Sequence, residues 1–270
     1  MSTMAITTQQ KKKITIRIQR GTRESGTEMK TYTVEVEPGS VVLDAVHAAQ
    51  AQDAPDLAVR WNCKAGKCGS CAAEVDGHPK LMCMTRLSDF PKLENGGIID
   101  IRPMQTYPLI KDLVTDTTWN FDVNTTIRPF SPPQTEQPLI MSQREVDRIQ
   151  EFRKCIQCGL CNDACHVLRT HQLFDSYAGP MNVLRLAGLE MHPQDQDDRM
   201  RDAKDKGIAV GYCNITRCCT EVCPENIRIT DNAIIPIKER VASRFYDPLT
   251  ILLNVIFRRN KNRHKVRLEL

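Results

Sequence analysis

A chain of 270 residues is long for one small domain and comfortable for two, each with its own core. Apolar residues make up 41 % and charged residues 26 %, as in globular proteins, but aromatics are only 5 %, so the cores must rest on Val, Ile, Leu and Met. The formal charge of +4 belongs to the C-terminal tail. Residues 258–270 hold six of the 37 basic side chains and one of the 33 acidic ones, which leaves a near-neutral body and argues against a nucleic-acid-binding surface.

From Lys13 the sequence alternates, with Ile14, Ile16 and Ile18 on one face and Thr15, Arg17 and Gln19 on the other; Tyr32, Val34 and Val36 repeat the pattern. Gly21 to Lys30 is polar apart from Met29, so two antiparallel strands joined by a long hairpin loop are expected. Pro38-Gly39 ends the second strand, and Ser40 is placed to cap a helix running to about Gln50 with Val42, Val46 and Ala49 inward. Asp76-Gly77, within Ala72–Met84, is a tight-turn signal, and Ile98–Ile101 reads as a further strand. Residues 12–105 therefore describe a small α+β domain of strands wrapped round one helix. Six prolines from Pro103 to Pro138 mark residues 106–141 as a connector, with a short helix at 107–114. Val146, Ile149 and Phe152 then fall at helical spacing, and Val183–Met191, Asp197–Lys206 and Ile234–Arg244 continue it. Residues 142–248 should be mostly helical. Leu249–Phe257 is apolar and uncharged but has nine residues, against the roughly 20 that span a bilayer. With the basic run behind it, the segment 249–270 reads as a membrane-proximal tail, lying at the interface or packed on an anchoring partner.

The twelve cysteines fall in three runs of four. Paired as disulfides they would need an export signal, and the opening MSTMAITTQQKKK has no apolar stretch to serve as one. Gaps of two residues also suit chelation better than pairing. A reducing compartment and metal ligation are the expectation. The first run, Cys63, Cys68, Cys71 and Cys83, reads C-x4-C-x2-C-x11-C, the plant-type spacing for a [2Fe–2S] cluster. Gly66 and Gly69 let backbone N–H groups turn inward toward the sulfurs. Zinc prefers two compact CxxC pairs, which the four-residue gap fits poorly.

The second and third runs must be read together. Cys155, Cys158, Cys161 and Cys165 match the bacterial ferredoxin spacing, in which the fourth cysteine ligates the other cluster. The third run, Cys213, Cys218, Cys219 and Cys223, closes with Cys223-Pro224. A [4Fe–4S] centre is therefore assigned to Cys155, Cys158, Cys161 and Cys223. Cys165, Cys213 and Cys219 remain. A complete pattern counted from Cys213 would need cysteine at 216, where the chain has Thr216. A hydroxyl is a poor substitute for thiolate at iron, so a [3Fe–4S] centre is expected there. Cys218 is read as a buried spare, with a fourth thiolate from it as the alternative.

The phrases RWNCKAGKCGSCAAEVDG, KLMCMTRL, FRKCIQCGLCNDAC and CCTEVCP, in this order, resemble the iron–sulfur subunits of succinate dehydrogenase and fumarate reductase. The resemblance covers about Ile14 to Pro248. It implies a plant-type (β-grasp) ferredoxin domain followed by a helical bacterial-type ferredoxin domain, an α+β chain. It further implies a relay of single electrons from the FAD of a flavoprotein subunit to a quinone, beside a membrane anchor on the cytoplasmic face of the cell membrane. Succinate chemistry would belong to the flavin, so no catalytic residue is expected here, and His47, His78 and His171 are read as ordinary. At the quinone end the chain departs from its relatives. Many have Pro and Trp where this sequence has His166 and Thr170, and some have His where it has Asn214. Either the quinone pocket is rebuilt, with His166 a candidate proton carrier, or the anchor receives electrons another way. The rivals are the fumarate-reducing direction, another membrane dehydrogenase, and a zinc-stabilised binding protein.

Overall fold

The computed structural model describes residues 11–205 and 207–256, so the basic run at 258–270 lies outside the described residues. The chain divides into two compact units, Met1–Thr117 and Thr118–Leu270.

In the first unit, strands β1 (Lys12–Thr22), β2 (Gly26–Val36), β3 (Ala72–Val75), β4 (His78–Leu81), β5 (Ile98–Arg102), β6 (Leu109–Lys111) and β7 (Val114–Thr115) surround helix α1 (Val42–Gln52). They form one sheet in the order β4-β3-β5-β1-β6-β7, with β2 also on β1. At its centre β1 runs parallel to β5, Thr15 opposite Ile98 and Ile18 opposite Ile101, and antiparallel to β2. The pleat buries Ile14, Ile16 and Ile18 beside Ile99 and Ile101 of β5, and α1 buries Val42, Val46 and Ala49. Each such aliphatic side chain contributes about 1.5–3 kcal/mol on burial. Asp76 and Gly77 both take positive φ and close the β3–β4 hairpin.

Three expectations for this unit are corrected. The long loop at Gly21–Lys30 is a tight turn, because β1 and β2 stay paired as far as Thr22 opposite Gly26. The polar composition there reports exposure and says nothing of the hydrogen-bond ladder. Helix α1 starts at Val42 instead of after a Ser40 cap; Val41 precedes it, and the Asp44 carboxylate accepts the Val41 N–H at 3.1 Å. The helix expected at 107–114 is the β6–β7 pair. Its turn is tied down by Asp112, a buried carboxylate that accepts N–H bonds from Gly21 and Ala58, both 2.8 Å, and pairs with Arg20 at 3.0 Å.

The second unit is helical: α2 (Thr118–Thr126), α3 (Gln143–Gln150), α4 (Leu160–Asp163), α5 (His166–Arg169), α6 (Gly179–Glu190), α7 (Arg199–Lys204), α8 (Cys218–Glu221), α9 (Ile235–Phe245) and α10 (Pro248–Ile256). A π-helical turn, Ile229–Ile234, leads into α9. Ser142 caps α3, with the Glu145 carboxylate taking its N–H at 2.8 Å. Val183, Leu184, Leu186 and Ala187 on α6 are fully or almost fully buried and form the middle of the core. Residues 128–131, from the proline-rich stretch, are held to this unit by Arg199. Its buried guanidinium pairs with Asp195 at 2.9 Å and donates to the carbonyls of Arg128 and Pro129. Among the described residues, no helix is long and apolar enough to cross a membrane.

Candidate metal centres

All twelve cysteines are free thiols in the structure. Each predicted group is carried by short, sharply turned segments. In the first unit, Cys63 and Cys68 lie half-buried in the loop before β3, whose turns need positive φ at Lys64, Gly66 and Gly69. The loop backbone points inward: Ala65 N–H and Lys67 N–H both donate to Cys63 Sγ at 3.3 Å. The Ser70 hydroxyl, and then backbone hydrogen bonds from Cys63 and Ser70, bring the Cys68 thiol down to about 6. Cys71 and Cys83 are buried at the edge of the sheet, and burial pushes the Cys71 thiol up to about 12. Cys83 lies beside Cys71, and Cys68 is close enough to both Cys63 and Cys71 to interact, so the run converges on one place.

In the second unit, Cys155, Cys158, Cys161 and Cys223 line one pocket. Its other walls are mostly apolar, among them Ile156, Met181, Leu184 and Ile227, with Glu225 as the one charged residue of the lining. Positive φ at Gln157 and Gly159 wraps the first three cysteines round it, while Cys223 arrives from the end of α8 and accepts the Ile227 N–H at 3.4 Å. Burial raises all three thiols of the second run here, Cys158 to about 12 and Cys161 well above its ordinary value. A proton-retaining buried thiol is a poor nucleophile. It becomes a good ligand once a metal charge replaces the proton.

Cys165, Cys213 and Cys219 form the third group, from the start of α5, the loop before α8, and the first turn of α8. Burial raises Cys165 to about 11 and Cys219 to about 12, with Cys213 and Cys218 adding to both shifts. Cys218 is half-buried, which corrects the reading of it as a buried spare, and its Sγ lies 3.4 Å from the Thr216 hydroxyl. Sequence reasoning missed the groups packed on these sulfurs. Thr230 Oγ1 is 3.3 Å from Cys219 Sγ. Lys238 Nζ donates to the Cys213 carbonyl at 2.5 Å. The Tyr177 hydroxyl is buried without a hydrogen-bond partner among the described residues, close to Cys213, Cys165 and Cys219. None lies in the motifs; only the chain path brings them there. His166, His78 and His171 are exposed, and His47 packs edge-on against Trp61, ring centroids 4.9 Å apart.

The donor set fits iron–sulfur clusters better than single ions. Among the described residues no three His, Cys, Asp or Glu side chains converge tightly enough to hold one ion. Cysteines spread round a cavity, inward amides and an orphaned buried hydroxyl are what a body bearing several sulfides would satisfy.

A β-grasp domain with one thiol loop, followed by a helical domain with two thiol groups, defines an iron–sulfur electron-transfer protein. Residues 13–122 match the family model of the 2Fe-2S iron–sulfur cluster binding domain, and residues 151–227 that of the 4Fe-4S dicluster domain. A solved chain of the Mycobacterium smegmatis Sdh1 complex, in the apo form, is 52 % identical with a TM-score of 0.84, over 89 % of this chain and all of that one. The fumarate reductase iron–sulfur subunit of Mycobacterium tuberculosis is 28 % identical over 76 % of this chain and 82 % of its own length. An uncharacterized iron–sulfur protein of Methanococcus maripaludis is 30 % identical over 81 % of this chain, which spans only 45 % of that relative. The chain belongs to the family of succinate dehydrogenase and fumarate reductase iron–sulfur subunits, the electron-transfer subunits of those oxidoreductases.

Proposed function

We propose that this subunit serves a membrane-bound succinate:quinone oxidoreductase, passing single electrons from a flavoprotein FAD to a quinone, with fumarate reduction as the reverse direction. The cavity that gathers Cys155, Cys158 and Cys161 with Cys223, some 60 residues further on, carries the reading. In this assignment Cys63, Cys68, Cys71 and Cys83 hold [2Fe–2S]; Cys155, Cys158, Cys161 and Cys223 hold [4Fe–4S]; Cys165, Cys213 and Cys219 hold [3Fe–4S]. The clusters supply one-electron redox chemistry when bound. The protein's part is to keep water from the helical unit's sulfurs with apolar walls and to aim N–H donors at those of the loop. The two units, to Thr117 and from Thr118, are the cluster-bearing domains, with the cysteines within residues 12–105 and 142–248, and a membrane anchor on the cytoplasmic face receives the chain's apolar end. The exposed Leu249, Ile251 and Leu252 of α10 support that placement.

EPR of the purified complex, as isolated and after reduction by succinate, tests this together with iron and sulfide analysis. A signal in the oxidised sample marks the three-iron centre, and reduction signals from the other two are expected, with quinone-dependent reoxidation. Zinc without inorganic sulfide, or clusters indifferent to succinate, would overturn the reading.

A further inference from the structure

The two thiol groups of the helical unit face different surroundings. The cavity of Cys155, Cys158, Cys161 and Cys223 has mostly apolar walls, with Glu225 its one charged lining residue and no hydroxyl among them, and Cys223 is approached by a backbone amide. Hydroxyls stand around the other group. Thr230, 1 % exposed on the π-turn, has Oγ1 3.3 Å from Cys219 Sγ. The Thr220 hydroxyl donates to Thr230 Oγ1 at 3.1 Å, and Thr230 N–H donates back to Thr220 Oγ1 at 3.0 Å. A hydroxyl carries one proton. Thr220 has committed its own to Thr230, so the Thr230 proton is free to go to the sulfur, and a thiolate can only accept. The Tyr177 ring is fully buried, its oxygen has no hydrogen-bond partner among the described residues, and Cys213, Cys165 and Cys219 lie close to it.

We propose that Thr230, oriented by Thr220, and Tyr177 are hydrogen-bond donors to the sulfur shell of the third centre and raise its reduction potential, so that electrons collect there. Thr220 and Thr230 are positioning residues acting through Cys219. Reduction adds one electron and places more negative charge on the sulfurs; donors aimed at sulfur favour the reduced form. The Thr220–Thr230 pair acts as a directed chain, in which each bond polarises the next. The inference rests on the assignment of Cys165, Cys213 and Cys219 to one centre.

The test is an EPR-monitored redox titration of the three-iron signal in the purified complex. Thr230→Val, which keeps shape and loses the donor, should shift the reduction equilibrium about tenfold toward the oxidised form, about 59 mV for one electron. Thr230→Ser should restore the wild-type midpoint. Tyr177→Phe should shift in the same direction as Thr230→Val, and the [2Fe–2S] midpoint should stay unchanged in all three. Should Thr230→Val fail to assemble, Thr220→Val, which leaves Thr230 in place, takes its role with a smaller shift. Wild-type midpoints in the valine variant that assembles and in Tyr177→Phe would overturn the proposal. A wild-type complex lacking the three-iron signal would instead overturn the ligand assignment beneath it.

Discussion

The first unit's loop, with Cys63 and Cys68, and the helical unit offer their thiols opposite surroundings. In the first, Cys63 and Cys68 stand in a half-buried loop whose amides and Ser70 hydroxyl turn toward sulfur, and the Cys68 thiol falls to about 6. In the second, burial drives Cys158 and Cys219 up to about 12. The loop therefore favours thiolate at Cys68 before any metal arrives, whereas Cys71, buried beyond it, is raised to about 12 as in the helical unit. The thiols that burial raises there, Cys155, Cys158, Cys161, Cys165 and Cys219, give up their protons readily only when metal charge replaces them, which couples that unit's folding to its loading. One ligand chemistry is reached by two routes.

The largest test of this contrast is a ligand removed from each side. Cys158→Ser should cost the helical unit several kcal/mol, since cluster binding there is part of its folding free energy. Circular dichroism and iron content of the purified chain should show loss of helix and of a cubane's iron. Cys68→Ser should leave the helical signal intact and remove only the [2Fe–2S] spectrum. Equal damage from both would erase the distinction.

A glycine in each unit gives a smaller pair of effects. At Gly179, φ is +77° and an added Cβ would lie 2.7 Å from Asn162 Oδ1, which holds the Met181 N–H. Gly179→Ala should cost about 1–2 kcal/mol for the backbone alone, with more from displacing Asn162 next to Cys161. At Gly66, φ is +66°, and the Cβ would meet only the end of the exposed Met84 side chain. Gly66→Ala should stop at the backbone cost, and thermal unfolding of the complex ranks the two.

Acid should bring the smallest change, measured in the first unit. Arg17 on β1 holds the Asp100 carboxylate of β5 below its ordinary range through two 2.7 Å hydrogen bonds. A depressed carboxylate contributes fully above its unfolded value, near pH 4, and that contribution fades as pH falls below it. A thermal midpoint of the first unit that declines below pH 4 is expected; one that rises would break the argument.

Much of this was legible because spacing in a ligand run is local chemistry. Cys155, Cys158 and Cys161 share one turn of chain, and Cys223-Pro224 announces the distant partner. The hairpin at Asp76-Gly77 and the β1 alternation were equally local. The strands at 109–115 were missed because a buried carboxylate, Asp112, holds them through contacts 54 and 91 residues away. Thr230 and Tyr177 were missed for the same reason: a threonine and a tyrosine outside any motif gain their meaning only from the sulfurs they are folded against.

The π-turn at Ile229–Ile234 sets the rotational phase of everything after it. Downstream, α9 places Lys238 on the Cys213 carbonyl, Arg240 on Glu190 and Arg244 on Asp198. Each residue advances a helix by about 100°. Shortening the turn by one residue would swing all three side chains a quarter-turn or more out of reach at once, so its length is a timing element for the whole C-terminal half of the unit.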